Sequence, residues 1–159
     1  MEIPPDALVI LIGPAGSGKS TFARRTFPHD AIISSDELRA SLQPRGKKRR
    51  VDAFEAMLPI IERRLRDGQL TVLDATNTEW MRRNTMTQLA RQHARPSVAM
   101  VFDVPLDECL TRNQGRPDGV PASVIRRQWA QLRQDLDRFD LEGYTAVHYI
   151  DKKSGVRAR

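Results

Sequence analysis

One cysteine and three histidines in 159 residues leave several chemistries out of reach. The lone Cys109 excludes an internal disulfide and any zinc or iron-sulfur site built on several cysteines. His29, His93 and His148 are too scattered to supply a metal cluster of the usual spacing, and a reducing compartment fits this composition. Long apolar runs are missing as well. The longest near the start, residues 7–12, has six residues and follows Glu2, Pro4, Pro5 and Asp6. A secretory signal needs a basic start and a longer apolar stretch, and a membrane span needs about 20 residues. The expectation is a cytoplasmic protein with no membrane partner. Internal repeats and linkers rich in Gly, Ser or Pro are also absent, so residues 1–159 read as one domain.

What is present is the balance of an ordinary globular chain, with 40% apolar and 29% charged residues. At this length folding hides roughly 70% of the unfolded chain's surface, which supports a core without metal or disulfide. The formal charge is +6, and it is unevenly placed. Residues 37–66 carry nine Lys or Arg against four Asp or Glu, whereas residues 1–36 carry three against four. A local basic patch suits a polyanionic partner, and it equally suits a solvated charged face. Charge alone leaves both open.

Short β-rich apolar runs alternate with longer helical ones. Strands are expected at 8–12, 31–34, 70–74, 98–103 and 146–150, and helices at 18–27, 36–42, 51–67, 79–95, 106–113 and 122–139. This order predicts an α/β fold, a parallel sheet of about five strands covered on both faces by helices. Pro59 should kink or split its helix. In the last helix Ile125, Trp129, Leu132, Leu136 and Phe139 recur at steps of three and four, an apolar stripe directed at the sheet with Trp129 in the core. Two segments read as mobile, 43–50 (Q-P-R-G-K-K-R-R) and 114–121 (Q-G-R-P-D-G-V-P), and the ends 1–6 and 152–159 as loose.

The strongest local signal is Gly13-Pro14-Ala15-Gly16-Ser17-Gly18-Lys19-Ser20-Thr21, which fits G-x-x-x-x-G-K-S/T directly after an apolar strand and at the start of a helix. Glycines allow the amides of Gly13, Ala15, Gly16, Ser17 and Gly18 to turn inward around phosphate oxygens, and the helix offers its free amides to the same anion. Lys19 supplies a charge at the β and γ phosphates and the Ser20 hydroxyl a ligand for Mg²⁺. This is a P-loop for ATP or another NTP. No N-K-x-D guanine motif occurs and the chain is short for a motor domain, which leaves a small kinase.

Three further groups sit past strand ends or on a loop. Asp36 and Arg39, in S-S-D-E-L-R, are three apart and share a helix face, where an Asp could accept a hydroxyl proton and an Arg could grip an acceptor phosphate. Asp36 as a helix N-cap with Arg39 on the surface is the other reading. Asp74, in L-D-A-T-N, could hold Mg²⁺ or its water, or belong to a plain strand-end turn. Arg112 and Arg116, in R-N-Q-G-R-P-D-G, could form a lid over the phosphates, or an ordinary charged loop.

Together and in this order the elements resemble the polynucleotide 5′-hydroxyl kinases of phage and bacterial nucleic-acid end healing, above all the kinase module of the bacterial enzymes. The resemblance spans residues 8–150. It rests on 13–23, on S-S-D-x-x-R at 34–39, on G-Q-L-T-V-L-D-A-T-N at 68–77, on R-N-x-x-R at 112–116, on V-P-x-x-V-I at 120–125, and on Glu142-Gly143-Tyr144. It implies an adenylate-kinase-like P-loop fold with a lid at about 112–121, and transfer of the γ phosphate to the 5′-OH end of RNA or DNA. By the same resemblance Asp36 is the general base, Arg39 binds the acceptor phosphate, and Thr21 touches the α phosphate. Asp74 with Asn77 organises the phosphate and metal side, Arg116 acts on the transferring or bridging phosphate, and Arg112 lies near the nucleotide base.

The chain departs from the pattern where Asp118 and Gly119 follow Arg116 in place of another basic residue, and where 43–50 is unusually basic. A small-molecule kinase and a nucleotide-binding module without catalysis remain the rival readings. Oligomeric state, a homo-oligomer included, is not readable.

Overall fold

The computed structural model describes residues 2–42, 52–117, 119–151 and 155–158. In chain order the elements are β1 (Leu8–Ile12), α1 (Lys19–Thr26), β2 (Ile32–Ser34), α2 (Ser35–Leu42), α3 (Ala53–Arg66), β3 (Thr71–Asp74), α4 (Trp80–Gln92), β4 (Ser97–Phe102), α5 (Leu106–Gln114), α6 (Ala122–Asp135), β5 (Ala146–Asp151) and β6 (Gly155–Ala158), with short 3-10 turns at His29–Ala31 and Phe139–Leu141. The basic run 45–50 and Asp118 lie outside the described residues.

The strands form one sheet in the order β2-β3-β1-β4-β5-β6. The first five are mutually parallel, as the alternation of apolar runs predicts, and β6 pairs antiparallel with β5. β1, L-V-I-L-I, is buried along its whole length because helices cover both faces. Alternate side chains serve opposite cores: Leu8, Ile10 and Ile12 join Met57, Ile61, Met86 and Leu132, while Val9 and Leu11 join Ala23, Phe27, Cys109 and Ile125. Because the chain leaves β1 toward β2 on one side and reaches β4 on the other, the strand order reverses at β1. In open α/β sheets such a reversal opens a ligand crevice at the carboxyl edge.

Four expectations change. The C-terminal end is not loose throughout, since residues 155–158 pair with β5 in the register Ile150↔Val156. G-V-R-A is too short to betray a strand on its own, and its pairing is supplied by the open backbone edge of β5. Residues 2–6 carry no regular structure but are fastened. Ile3 packs on the β1–α1 core, Ala7 N donates to Pro4 O at 3.1 Å, and Asp6 pairs with Arg95 at 2.9 Å. Pro59 lies inside an unbroken α3. It is on the exposed side, where water reaches the carbonyl its missing N–H leaves free.

Finally, α6 ends at Asp135 rather than 139, and it does not lie against one face of the sheet. Ile125 packs in one core and Leu132 in the other, so the helix crosses over the carboxyl edge. Trp129 is accordingly half-buried, donating from Nε1 to Val104 O at 3.3 Å with Arg133 over its ring. No helix among the described residues is long and apolar enough to cross a membrane.

Candidate active site

The loop between β1 and α1 turns back at two glycines of positive φ, Gly16 (81°) and Gly18 (99°), where any side chain would be strained. At Gly16 an added Cβ would also run into the carbonyl of Cys109, so the loop is seated directly on α5. Cys109 itself is wholly buried, as a small apolar residue should be. Gly13 N donates to Thr76 O at 2.9 Å and ties the loop to the turn after β3. No side chain caps α1, whose first amides therefore remain available to an anion.

Lys19 lies inside this ring, 7% exposed, with Nζ donating to Pro14 O at 2.8 Å and to Ser17 Oγ at 3.2 Å. Burial lowers its pKa to about 8, against the opposing pull of Asp74, Cys109 and Asp36, while Arg116 adds to the lowering. Three other expected site residues, Asp74, Asp36 and Arg116, each from a different segment of the chain, are thus within electrostatic reach of Lys19.

The lowered value sets a proton linkage with a definite sign. Well below pH 8 the amine is already charged, and an arriving polyanion moves almost no proton. Above it the free cradle holds mostly neutral amine, and an anion that favours the ammonium draws a proton in. Uptake on binding ATP is expected to be about a tenth of a proton at pH 7, rising to roughly nine-tenths at pH 9. Calorimetry in buffers of different ionisation enthalpy measures it, and a flat profile between those pH values would refute the assignment to Lys19.

On the other side of the crevice, β2 pairs with β3 so that Ser34 stands opposite Asp74, which brings the start of α2 beside the end of β3. Ser34 Oγ accepts from Glu37 N at 3.3 Å, so Ser34 and not Asp36 caps the helix, which removes the capping alternative for Asp36. Asp36 sits in the first turn and pairs with Arg39 at 2.9 Å, the carboxylate side chain 72% exposed and the guanidinium 42%. Asp74 is buried, at the end of β3. Asp74 and the half-buried Ser20 offer hard oxygen donors next to the cradle. No cluster of three or more His, Cys, Asp or Glu suited to a metal occurs among the described residues. A cation here would draw its remaining ligands from phosphate and water, which suits Mg²⁺.

Asn77 is placed differently from its neighbours. At φ 48° it adopts a left-handed conformation that Asn tolerates, and its Nδ2 donates to Leu11 O at 2.7 Å. It is a strut between the ends of β1 and β3. Arg112 lies on the wall of the cradle, donating to Gly16 O at 3.3 Å and pairing with Glu108 at 2.8 Å. Arg116 is exposed on the turn after α5. That turn is pinned at its base by Asn113, which donates to Val120 O at 2.8 Å and accepts from Val120 N at 3.0 Å.

Two groups escaped sequence reading. Gln128, Gln131 and Asp135, spaced three and four apart on α6, each reach a different partner at the carboxyl edge. Gln128 Oε1 accepts from Ala15 N at 2.9 Å, Gln131 Oε1 accepts from the Thr78 hydroxyl at 2.9 Å, and Asp135 pairs with Arg83 at 2.7 Å. The spacing was legible as a polar row beside the apolar stripe, but its partners were not. Arg83 is fully buried and bonds the carbonyls of Asn77 and Thr78 at 3.1 and 2.8 Å and both oxygens of Glu142 at 2.9 and 2.6 Å. It locks the turn after β3. Only Glu142-Gly143-Tyr144, noticed as part of a family pattern, pointed to its partner.

The sequence over residues 8–139 matches a family described as an AAA domain. The chain belongs to that family. Among solved structures, this AAA domain superposes on a chain of the Pnkp1/Rnl/Hen1 RNA repair complex with a TM-score of 0.68 and 26% identity, covering 84% of this chain and 46% of that one. Kti12 of Chaetomium thermophilum, solved with ADP-AlF3, matches at 0.61 and 16% identity over 92% of this chain and 89% of its own. The tunicamycin resistance protein of Deinococcus radiodurans matches at 0.56 and 16% over 93% and 87%. The last two carry the fold alone. The chain spans less than half of the RNA-repair chain it matches. No curated protein matches it. The kinase-like P-loop fold and the resemblance to RNA-repair kinase modules both stand.

Proposed function

We propose that this domain transfers the γ phosphate of ATP or another NTP to the 5′-hydroxyl end of RNA or DNA. The observation that carries the reading is the Asp36–Arg39 pair at the crevice, with the Asp36 charge felt at Lys19 across from it. A cradle alone would serve any nucleotide-binding protein. A carboxylate facing it, beside an arginine, is what an alcohol acceptor flanked by a phosphate requires. The likeness to a chain of an RNA repair complex favours the polynucleotide over other alcohols.

In this reading the Asp36 carboxylate takes the proton of the 5′ hydroxyl as its oxygen attacks the γ phosphorus, and the bond to the β–γ bridging oxygen breaks, releasing ADP. Arg39 holds the phosphate that follows the terminal nucleoside. The loop amides and Lys19 hold the β and γ phosphates, Thr21 the α phosphate, and Arg116 swings in from the lid to neutralise charge on the group in flight. Ser20 and Asp74 would hold Mg²⁺, which neutralises phosphate charge and aligns the γ phosphate when bound.

The test is transfer of label from γ-labelled ATP to RNA and DNA oligonucleotides with 5′-OH or 5′-phosphate ends, beside a panel of sugars and nucleosides. Labelled product from 5′-OH ends alone is expected, with oligonucleotide affinity falling as salt rises. Label on a small alcohol and none on any oligonucleotide would make it a small-molecule kinase. No label on any acceptor would leave a nucleotide-binding module.

A further inference from the structure

The Ala15 amide is one of the loop donors that the motif directs at phosphate, yet here it donates to Gln128 Oε1 at 2.9 Å, a contact between residues 113 apart in sequence. Only an acceptor oxygen can take that hydrogen, so the side chain presents to the cradle the same kind of atom a phosphate would. Gln128 is half-buried on a helix that directly continues the lid, and its neighbours Gln131 and Asp135 hold that helix to the turn after β3. The carboxamide is therefore aimed at the cradle by a fixed helix. It is not a stray surface side chain that reached the loop by chance.

We propose that Gln128 holds the Ala15 amide before nucleotide binds and competes with nucleotide phosphate for it, yielding to a ligand that brings a stronger acceptor. A phosphate oxygen is charged and a carboxamide oxygen is not, and charge-assisted hydrogen bonds are roughly twice as strong as neutral ones. The exchange therefore favours phosphate, whereas a nucleoside without phosphate leaves the Gln128–Ala15 bond in place. Gln128 thus lowers the affinity for nucleotide by the bond that phosphate must displace. The proposal rests on the cradle as a nucleotide site and not on the identity of the acceptor.

The experiment is titration of ATP into wild type, Gln128→Ala and Gln128→Asn, with adenosine competition as the phosphate-free comparison and thermal melting to verify folding. Alanine removes the competitor and asparagine is a methylene too short to reach Ala15, so both should bind ATP more tightly, by about three- to tenfold. Adenosine should bind all three proteins alike. Unchanged or weaker ATP binding in both variants, or an equal gain for adenosine, overturns the proposal. Because no acceptor is present, a failure here is distinct from a failure to phosphorylate 5′ ends.

Discussion

Replacing Arg116 with alanine should lower turnover by about 10³- to 10⁵-fold while leaving ATP binding nearly unchanged, the range found for arginines that reach onto a transferring phosphoryl group. Two features separate its expected effect on binding from its effect on rate. Arg116 is exposed on the lid turn, and no ion pair among the described residues holds it. Its charge nevertheless bears on Lys19, so it lies near the cradle and not on a remote surface. An interaction made mainly in the transition state lowers kcat and kcat/KM together and spares ground-state affinity. Single-turnover transfer with a 5′-OH oligonucleotide, beside ATP titration of the same variant, separates the two quantities. Near-normal turnover would remove Arg116 from the chemistry.

Arg112 makes the contrast concrete. Its guanidinium is already engaged by Gly16 O and Glu108, so the same residue type four positions earlier is part of the cradle's wall. In the proposed chemistry, Asp118 and Gly119 in place of a further basic residue leave Arg116 as the lid's one charge on the phosphates. Asn113 ties the two ends of this turn together through its bonds with Val120.

What was legible in the sequence is what is encoded locally. The glycines at 16 and 18, the lysine after them and the apolar run before them fix the cradle, because positive φ and inward amides are properties of a few consecutive residues. The parallel sheet followed from apolar runs without polar alternation. The unread features depend on distant partners. Arg83 looks like a surface residue of a basic helix until Asp135 and Glu142, more than 50 residues on, fold around it. Gln128 is ordinary until its helix is laid across the carboxyl edge, and β6 exists because β5 offers an edge. The cap of α2 is intermediate. S-S-D supplies three acceptable capping side chains, and because α2 begins at Ser35, directly after β2, Ser34 caps it and Asp36 falls inside the first turn.

That choice makes Asp36→Asn the most informative acceptor-side variant. Asparagine keeps an oxygen that can accept from Arg39 and nearly the same shape, but it cannot take a proton. If Asp36 is the base, kcat for 5′-OH ends should fall by about 10²- to 10⁴-fold, with acceptor KM changing far less. Folding should not confound the result. The Asp36–Arg39 pair is an exposed i,i+3 contact on a helix surface, and pairs of that kind contribute at most about 1 kcal/mol. Arg39→Ala should behave in the opposite way, raising KM for a 5′-OH strand that carries a following phosphate while a lone nucleoside acceptor is insensitive. Equal losses from the two variants in both parameters would mean that the pair merely shapes the start of α2. A kcat loss from the first and a KM loss from the second would assign proton transfer and phosphate grip to separate side chains three residues apart, which is the division of labour a polynucleotide end demands of this crevice.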